Sequence, residues 1–127
     1  MIILTSKKIL QLHKFLMHKT GGLDGLRDAA LLDSAVQSPL AAFDSQELYP
    51  SREEKAAKLG YTLVKNHAFI GGNKRIGVYV LTIFLDVNGV GMTYSDDDLI
   101  ALGLGMADGS FSYESVLDWI ENHKQTY

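Results

Sequence analysis

Glycine marks where this chain has to turn. Gly21-Gly22, Gly71-Gly72, Asn88-Gly89 and Asp108-Gly109 each border a stretch in which apolar residues recur every three or four positions. That period belongs to amphipathic helices, and a glycine just past the last periodic residue is a common stop. Six helices are predicted. Ser6 to His18 carries Ile9, Leu10, Leu12, Phe15 and Leu16, and Gly21-Gly22 ends it. Arg27 to Gln37 places Ala30, Leu31, Ala35 and Val36 on one face, and Pro39 closes it. Ser51-Arg52-Glu53-Glu54 reads as a capping box opening a helix to about Lys65, with Ala56, Leu59, Leu63 and Val64 inward. Lys74 to Val87 is rich in Val and Ile, but its length favours a buried central helix over a strand. Ser95 with Asp96, Asp97 and Asp98 starts a fifth helix, because acidic side chains stabilise a first turn. Ser112 to His123 forms the last, around Val116, Leu117, Trp119 and Ile120. Ser38 to Pro50 lacks periodicity and reads as the longest loop. The expectation is an all-α single domain, residues 1–127, built around the central helix 74–87.

Composition narrows the function. The 127 residues are 46% hydrophobic and 21% charged, an ordinary globular balance. There is no cysteine, hence no disulfide and no thiolate metal site, which suits a reducing cytoplasm. No run approaches the roughly 18 apolar residues of a membrane span. The net charge of −3, with dense cation pairs only at Lys7-Lys8 and Lys74-Arg75, argues against a dedicated nucleic-acid binder. A small basic pocket on an acidic surface fits a nucleotide or phosphoprotein instead.

The pocket's candidate is His67-Ala68-Phe69-Ile70-Gly71-Gly72-Asn73-Lys74-Arg75. Two glycines at a helix start let backbone N–H groups approach an anion, and the helix dipole favours negative charge there. Lys74 and Arg75 supply cations for phosphate oxygens. Without an anion they oppose the dipole, at a cost of up to about 1 kcal/mol each. Asn73 caps the helix or orients a neighbour. His67 stands near enough in sequence to act as a general base. Phe69, and by extension Ile70, read as core anchors. His13, His18 and His123 lie on or beside ordinary amphipathic helices and read as structural.

These residues resemble the Fic/Doc family, whose pattern is His-x-Phe-x-(Asp/Glu)-(Gly/Ala)-Asn-(Gly/Lys)-Arg. The Asn73-Lys74-Arg75 ending is similar to the death-on-curing (Doc) branch. So is the glycine-rich Gly21-Gly22-Leu23-Asp24-Gly25-Leu26-Arg27-Asp28. The resemblance implies a six-helix Fic/Doc-like bundle and transfer of a phosphate-containing group from a nucleotide such as ATP to a protein hydroxyl. His67 would be the catalytic base, and Gly72, Asn73, Lys74 and Arg75 would hold the phosphates. Doc toxins phosphorylate elongation factor Tu and block translation, whereas Fic proteins typically transfer AMP. A second arginine of wider Fic motifs is Val78 here, which favours the Doc-like arrangement. Ser38 to Asp44 would act as the flap that positions the target.

One position departs from the pattern. Gly71 stands where the family has the carboxylate that holds Mg²⁺. Magnesium prefers carboxylate oxygens and water, and it neutralises charge in phosphoryl transfer. Impaired catalysis with partly retained nucleotide binding is therefore expected, and a catalytically dead nucleotide- or antitoxin-binding homologue is an alternative. No Ser/Thr-x-x-x-Glu-(Gly/Asn) inhibitory segment occurs in the sequence. The resemblance thus implies an antitoxin partner, whose disordered tail would fold into an apolar groove between helices.

Overall fold

Side-chain oxygens start every helix but one. A computed structural model describes residues 1–125. Thr5 caps α1 (Ser6–Thr20), and Asp28 caps α2 (Ala29–Gln37). Ser51 caps α3 (Arg52–Asn66) with Glu54 completing the predicted box. Ser95 caps α5 (Asp96–Asp108) and Ser112 caps α6 (Tyr113–His123). The exception is α4 (Asn73–Val87), whose N-cap is Gly72, with no side chain to satisfy its first turn. The helix that lacks a cap is the one that follows the glycine pair.

The central helix is where the sequence placed it. Ile76, Val80, Leu81, Phe84 and Leu85 of α4 are buried, and α3 packs along it more extensively than any other element. Leu59, Leu63 and Val64 of α3, Leu102 and Met106 of α5, and Val116 and Ile120 of α6 complete the core. Each such side chain contributes roughly 1.5–3 kcal/mol on burial. No described helix is long and apolar enough to cross a membrane.

Three local expectations need correction. The second helix begins at Ala29 rather than Arg27, because Asp28 accepts from the Leu31 N–H and so fixes the start. Its buried face is Leu32, Ala35 and Val36, and Ala30 is exposed. The segment 38–50 is not a plain loop. Ser38–Leu40 forms a short 3₁₀ turn, and Ala42–Phe43 (β1) pairs antiparallel with Gln46–Glu47 (β2). Asp44 and Ser45 both have positive φ, the tight two-residue turn usually made by Asn-Gly, so the sequence signal was weak. Lys55, only 3% exposed on α3, ties this hairpin down through Glu47 Oε1 at 2.8 Å and the Tyr49 carbonyl.

Candidate active site

The link between α3 and α4, residues 67–72, is shaped from above and below. His67 ends α3 in the left-handed region at φ 49°. A non-glycine residue there carries a strain of about 1–3 kcal/mol and persists only when its surroundings hold it. Arg27 provides the hold. Its Nε donates to the His67 carbonyl at 2.7 Å and its Nη2 to the Asn66 carbonyl at 3.2 Å, which also satisfies the end of α3. The main chain is pinned as well. Arg27 and Asp28 N–H donate to the Ala68 carbonyl, and Ile70 N–H donates to the Gly25 carbonyl. The glycine-rich turn and the motif therefore form one unit.

Asn73 closes the bend. Its Oδ1 accepts from the Phe69 N–H and its Nδ2 donates to the Phe69 carbonyl, both at 3.0 Å. Its amide is thus engaged with the turn, and what it offers an anion is its backbone N–H. Phe69 is buried, as expected, and stacks on the His13 ring at 3.8 Å between centroids. Ile70 differs from the expectation: it is 57% exposed, with its Cδ1 close over Gly25. The bend turns outward there because Ile70 alternates with the buried Phe69.

The backbone of the bend leaves a row of donors free. Among the described residues, the N–H groups of residues 71–75 have no protein acceptor. Five successive free donors at a helix start form a concavity for an anion. Gly72 has φ 71°, a conformation that strains any residue with a Cβ, and a Cβ there would also have to displace the end of the Met17 side chain. Lys74 and Arg75 follow in the first turn, and neither has a carboxylate partner among the described residues. Lys74 runs its stem along Gly103 of α5. Arg75 reaches back to α1, where Nη1 donates to Thr20 Oγ1 at 2.6 Å.

Both cations line a cavity of about 420 Å³ between α1, α4 and α5. Its other walls are Leu16, Val78, Tyr79, Leu99 and Ile100, with Thr20, Thr82 and Gly103. His67 is not among the lining residues. The residue is exposed, and the hydrogen bond its ring makes among the described residues is a long 3.5 Å approach of Nδ1 to the Lys65 carbonyl. The structure thus places Lys74 and Arg75 on the cavity wall, leaves Gly72 and Asn73 just before them in the bend and outside the lining, and sets the exposed His67 at the opposite end of the bend.

A Mg²⁺ ion does not fit the residues present. Among the described residues there is no group of three His, Asp or Glu side chains able to hold one. Gly71 offers no oxygen from a side chain. Asp24, in the neighbouring glycine-rich turn, stands 3.6 Å from His13 Nδ1.

Two residues of this unit, His13 and Arg27, were given no role at the motif by the sequence, in which His13 reads as structural. His13 is 1% exposed and bonds the Gly71 carbonyl, and its signal is its position four residues from both Ile9 and Met17, the buried row of α1. Arg27 has no signal beyond a charge in a glycine-rich turn.

The family model described as the Fic/DOC family matches residues 3–85, from α1 through most of α4. The chain belongs to the Fic/DOC family. A curated relative named Toxin Doc, from Mycolicibacterium smegmatis, is 43% identical over 70 residues. That match covers 55% of this chain and 54% of the relative, so it spans about half of the relative's length. The bend, the uncapped start of α4 and His67 all lie inside the region the Fic/DOC model matches.

Proposed function

We propose that this Fic/DOC protein is a Doc-like toxin. It holds the phosphate tail of ATP at residues 71–75 and transfers phosphate to a threonine or serine hydroxyl of a protein. The observation that carries the reading is the row of unpartnered N–H groups beside two unpaired cations. A triphosphate satisfies both at once, whereas water would leave Lys74 and Arg75 opposing the helix dipole.

His67 is the base in this reading. Its exposed imidazole would take the proton of the incoming hydroxyl as that oxygen bonds to the γ-phosphorus and ADP leaves. The β1–β2 hairpin, with Phe43 77% exposed at its turn, offers an edge for an extended target segment. Elongation factor Tu is the target that the family resemblance supports. The transfer is slow in this form, since no side chain here replaces the family's metal-holding carboxylate.

The apolar cavity beside the cations supports the partner reading. A segment of an antitoxin tail seated against Leu16, Val78, Leu99 and Ile100 would also cover Lys74 and Arg75, and so would exclude the nucleotide. A second reading rests on Gly71: a nucleotide- or antitoxin-binding homologue without catalysis.

Purified protein incubated with elongation factor Tu and ATP tests the first reading. An added mass of phosphate supports it and an added mass of AMP replaces it with Fic-type chemistry. No modification together with ATP binding that ignores Mg²⁺ supports the non-catalytic reading.

A further inference from the structure

We infer that His13 is a positioning residue of the anion site, holding the Gly71 carbonyl out of it. The inference rests on the reading that the bend binds a phosphate tail. His13 lies on α1, 1% exposed, far in sequence from the motif and outside its pattern. Its Nε2 stands 2.8 Å from the Gly71 oxygen. A carbonyl can only accept, so Nε2 carries the proton and donates it. Nδ1 faces Asp24 Oδ1 at 3.6 Å, and the ring face lies flat on Phe69, 11° from parallel. The imidazole is held on three sides, and it is aimed at one atom of the bend.

That atom decides the sign of the site. In a trans peptide the carbonyl and the following N–H point in opposite directions. With the Gly71 oxygen drawn inward to His13, the Gly72 N–H faces outward among the free donors of residues 71–75. A rotation of the 71–72 peptide would reverse both. It would turn an oxygen toward the anion and remove a donor. Side chains usually resist such a rotation, but here glycine stands on both sides of the bond, and glycine accepts either sign of φ. Gly71 replaces a residue with a Cβ in the family pattern, so this chain depends on the hydrogen bond from His13 more than the pattern would. The Asn73 clamp acts on Phe69 and leaves the 71–72 peptide free.

The experiment compares His13→Gln with His13→Asn. Glutamine carries an amide nitrogen at the reach of Nε2 and can still donate to Gly71, whereas the shorter asparagine cannot. ATP binding is measured by calorimetry, and the Gly71 carbonyl and Gly72 amide shifts by NMR without nucleotide. The expected result is that His13→Asn binds ATP about tenfold more weakly than the unchanged protein, the loss of one buried hydrogen bond. His13→Gln returns to within about threefold by the same reasoning. The Gly71 and Gly72 shifts should move in His13→Asn and stay in His13→Gln. Equal ATP affinity in the two variants, or unmoved shifts in His13→Asn, would overturn the inference. An unchanged protein that binds no ATP, while the shifts behave as expected, would instead remove the phosphate-tail reading and leave His13 as the residue that sets the peptide.

Discussion

Gly60 of α3 and Gly77 of α4 face each other where the backbones of the two helices come close. A Cβ on Gly77 would stand 3.0 Å from the Gly60 carbonyl oxygen, and a Cβ on Gly60 would stand 3.1 Å from that of Gly77. The crossing lies between the end of α3 that carries His67 and the start of α4 that carries the free N–H groups. It fixes how closely the two helices joined by the bend approach each other. Any separation of the helices is transmitted to the bend, which is short and pinned at both ends.

Gly77→Ala is expected to destabilise the protein although alanine is the better helix former. The new methyl meets Val64 and the Gly60 backbone, which cannot move aside as a flexible side chain would. Overpacking of this kind costs about 1–3 kcal/mol, against roughly 1 kcal/mol gained in helix propensity. A lowered melting temperature and weaker ATP binding should appear together. A melting temperature at or above the original would show that the crossing has slack.

Asn73→Ala should loosen the bend more than any substitution that removes only charge. It deletes an acceptor for the Phe69 N–H and a donor to the Phe69 carbonyl. With both groups part-buried, the loss is about 2 kcal/mol. Asn73→Asp keeps the acceptor and loses the donor, so it should fall between. Urea denaturation of the three proteins gives the order directly, and an Asn73→Ala midpoint equal to the original would contradict it.

Much of this was legible because the periodic signals were strong. Helices α3, α4 and α6 were readable from caps and apolar spacing, and the central place of α4 from its length. The motif His67 to Arg75 was readable because cations at an uncapped helix start conflict with the helix dipole. The hairpin at 42–47 was not, since Asp44-Ser45 is an unusual pair for its turn. Nor were His13 and Arg27, whose roles come from contacts 58 and 40 residues away in sequence. A polar residue on a buried helix row states that it has a partner but not which one. Ile70 went the other way: an apolar residue in a bend was read as core, yet only one face of that bend is covered.

Stability in acid should depend on the start of α5. The Ser95 N–H bonded to the Asp98 carboxylate holds that group below the usual aspartate value, with smaller lowering from the Ser95 hydroxyl and His123. A carboxylate whose folded value is depressed adds stability that is complete above its unfolded value and is lost as pH falls through the folded one. Asp98→Asn should thus lower the melting temperature at neutral pH, and the gap between the two proteins should close below about pH 4. A gap that is constant across that range would assign the effect to the cap geometry rather than to charge.

Gly71→Asp should strengthen the proposed reaction, and His67→Asn should abolish it in that background. The backbone at Gly71 is not in the left-handed region, so an aspartate is not strained there. Its Cβ would come to 3.2 Å from Leu23 Cβ, so the backbone of the turn at Leu23 has to give by a few tenths of an ångström. The carboxylate would then stand beside the free N–H groups, where a nucleotide-bound Mg²⁺ finds an oxygen it now lacks. Charge neutralisation of that kind is worth several kcal/mol, so a rise of about a hundredfold or more in phosphate transfer is expected, with a new dependence on Mg²⁺. Asparagine at position 67 tolerates the left-handed backbone that α3 ends in, so it removes the imidazole without disturbing the turn. The double variant should bind ATP as Gly71→Asp does and transfer nothing. Growth arrest on expression reads both steps in cells: strong for Gly71→Asp, absent for the double variant. Equal growth of the original and the Gly71→Asp protein would show that the missing carboxylate is not what limits this chain.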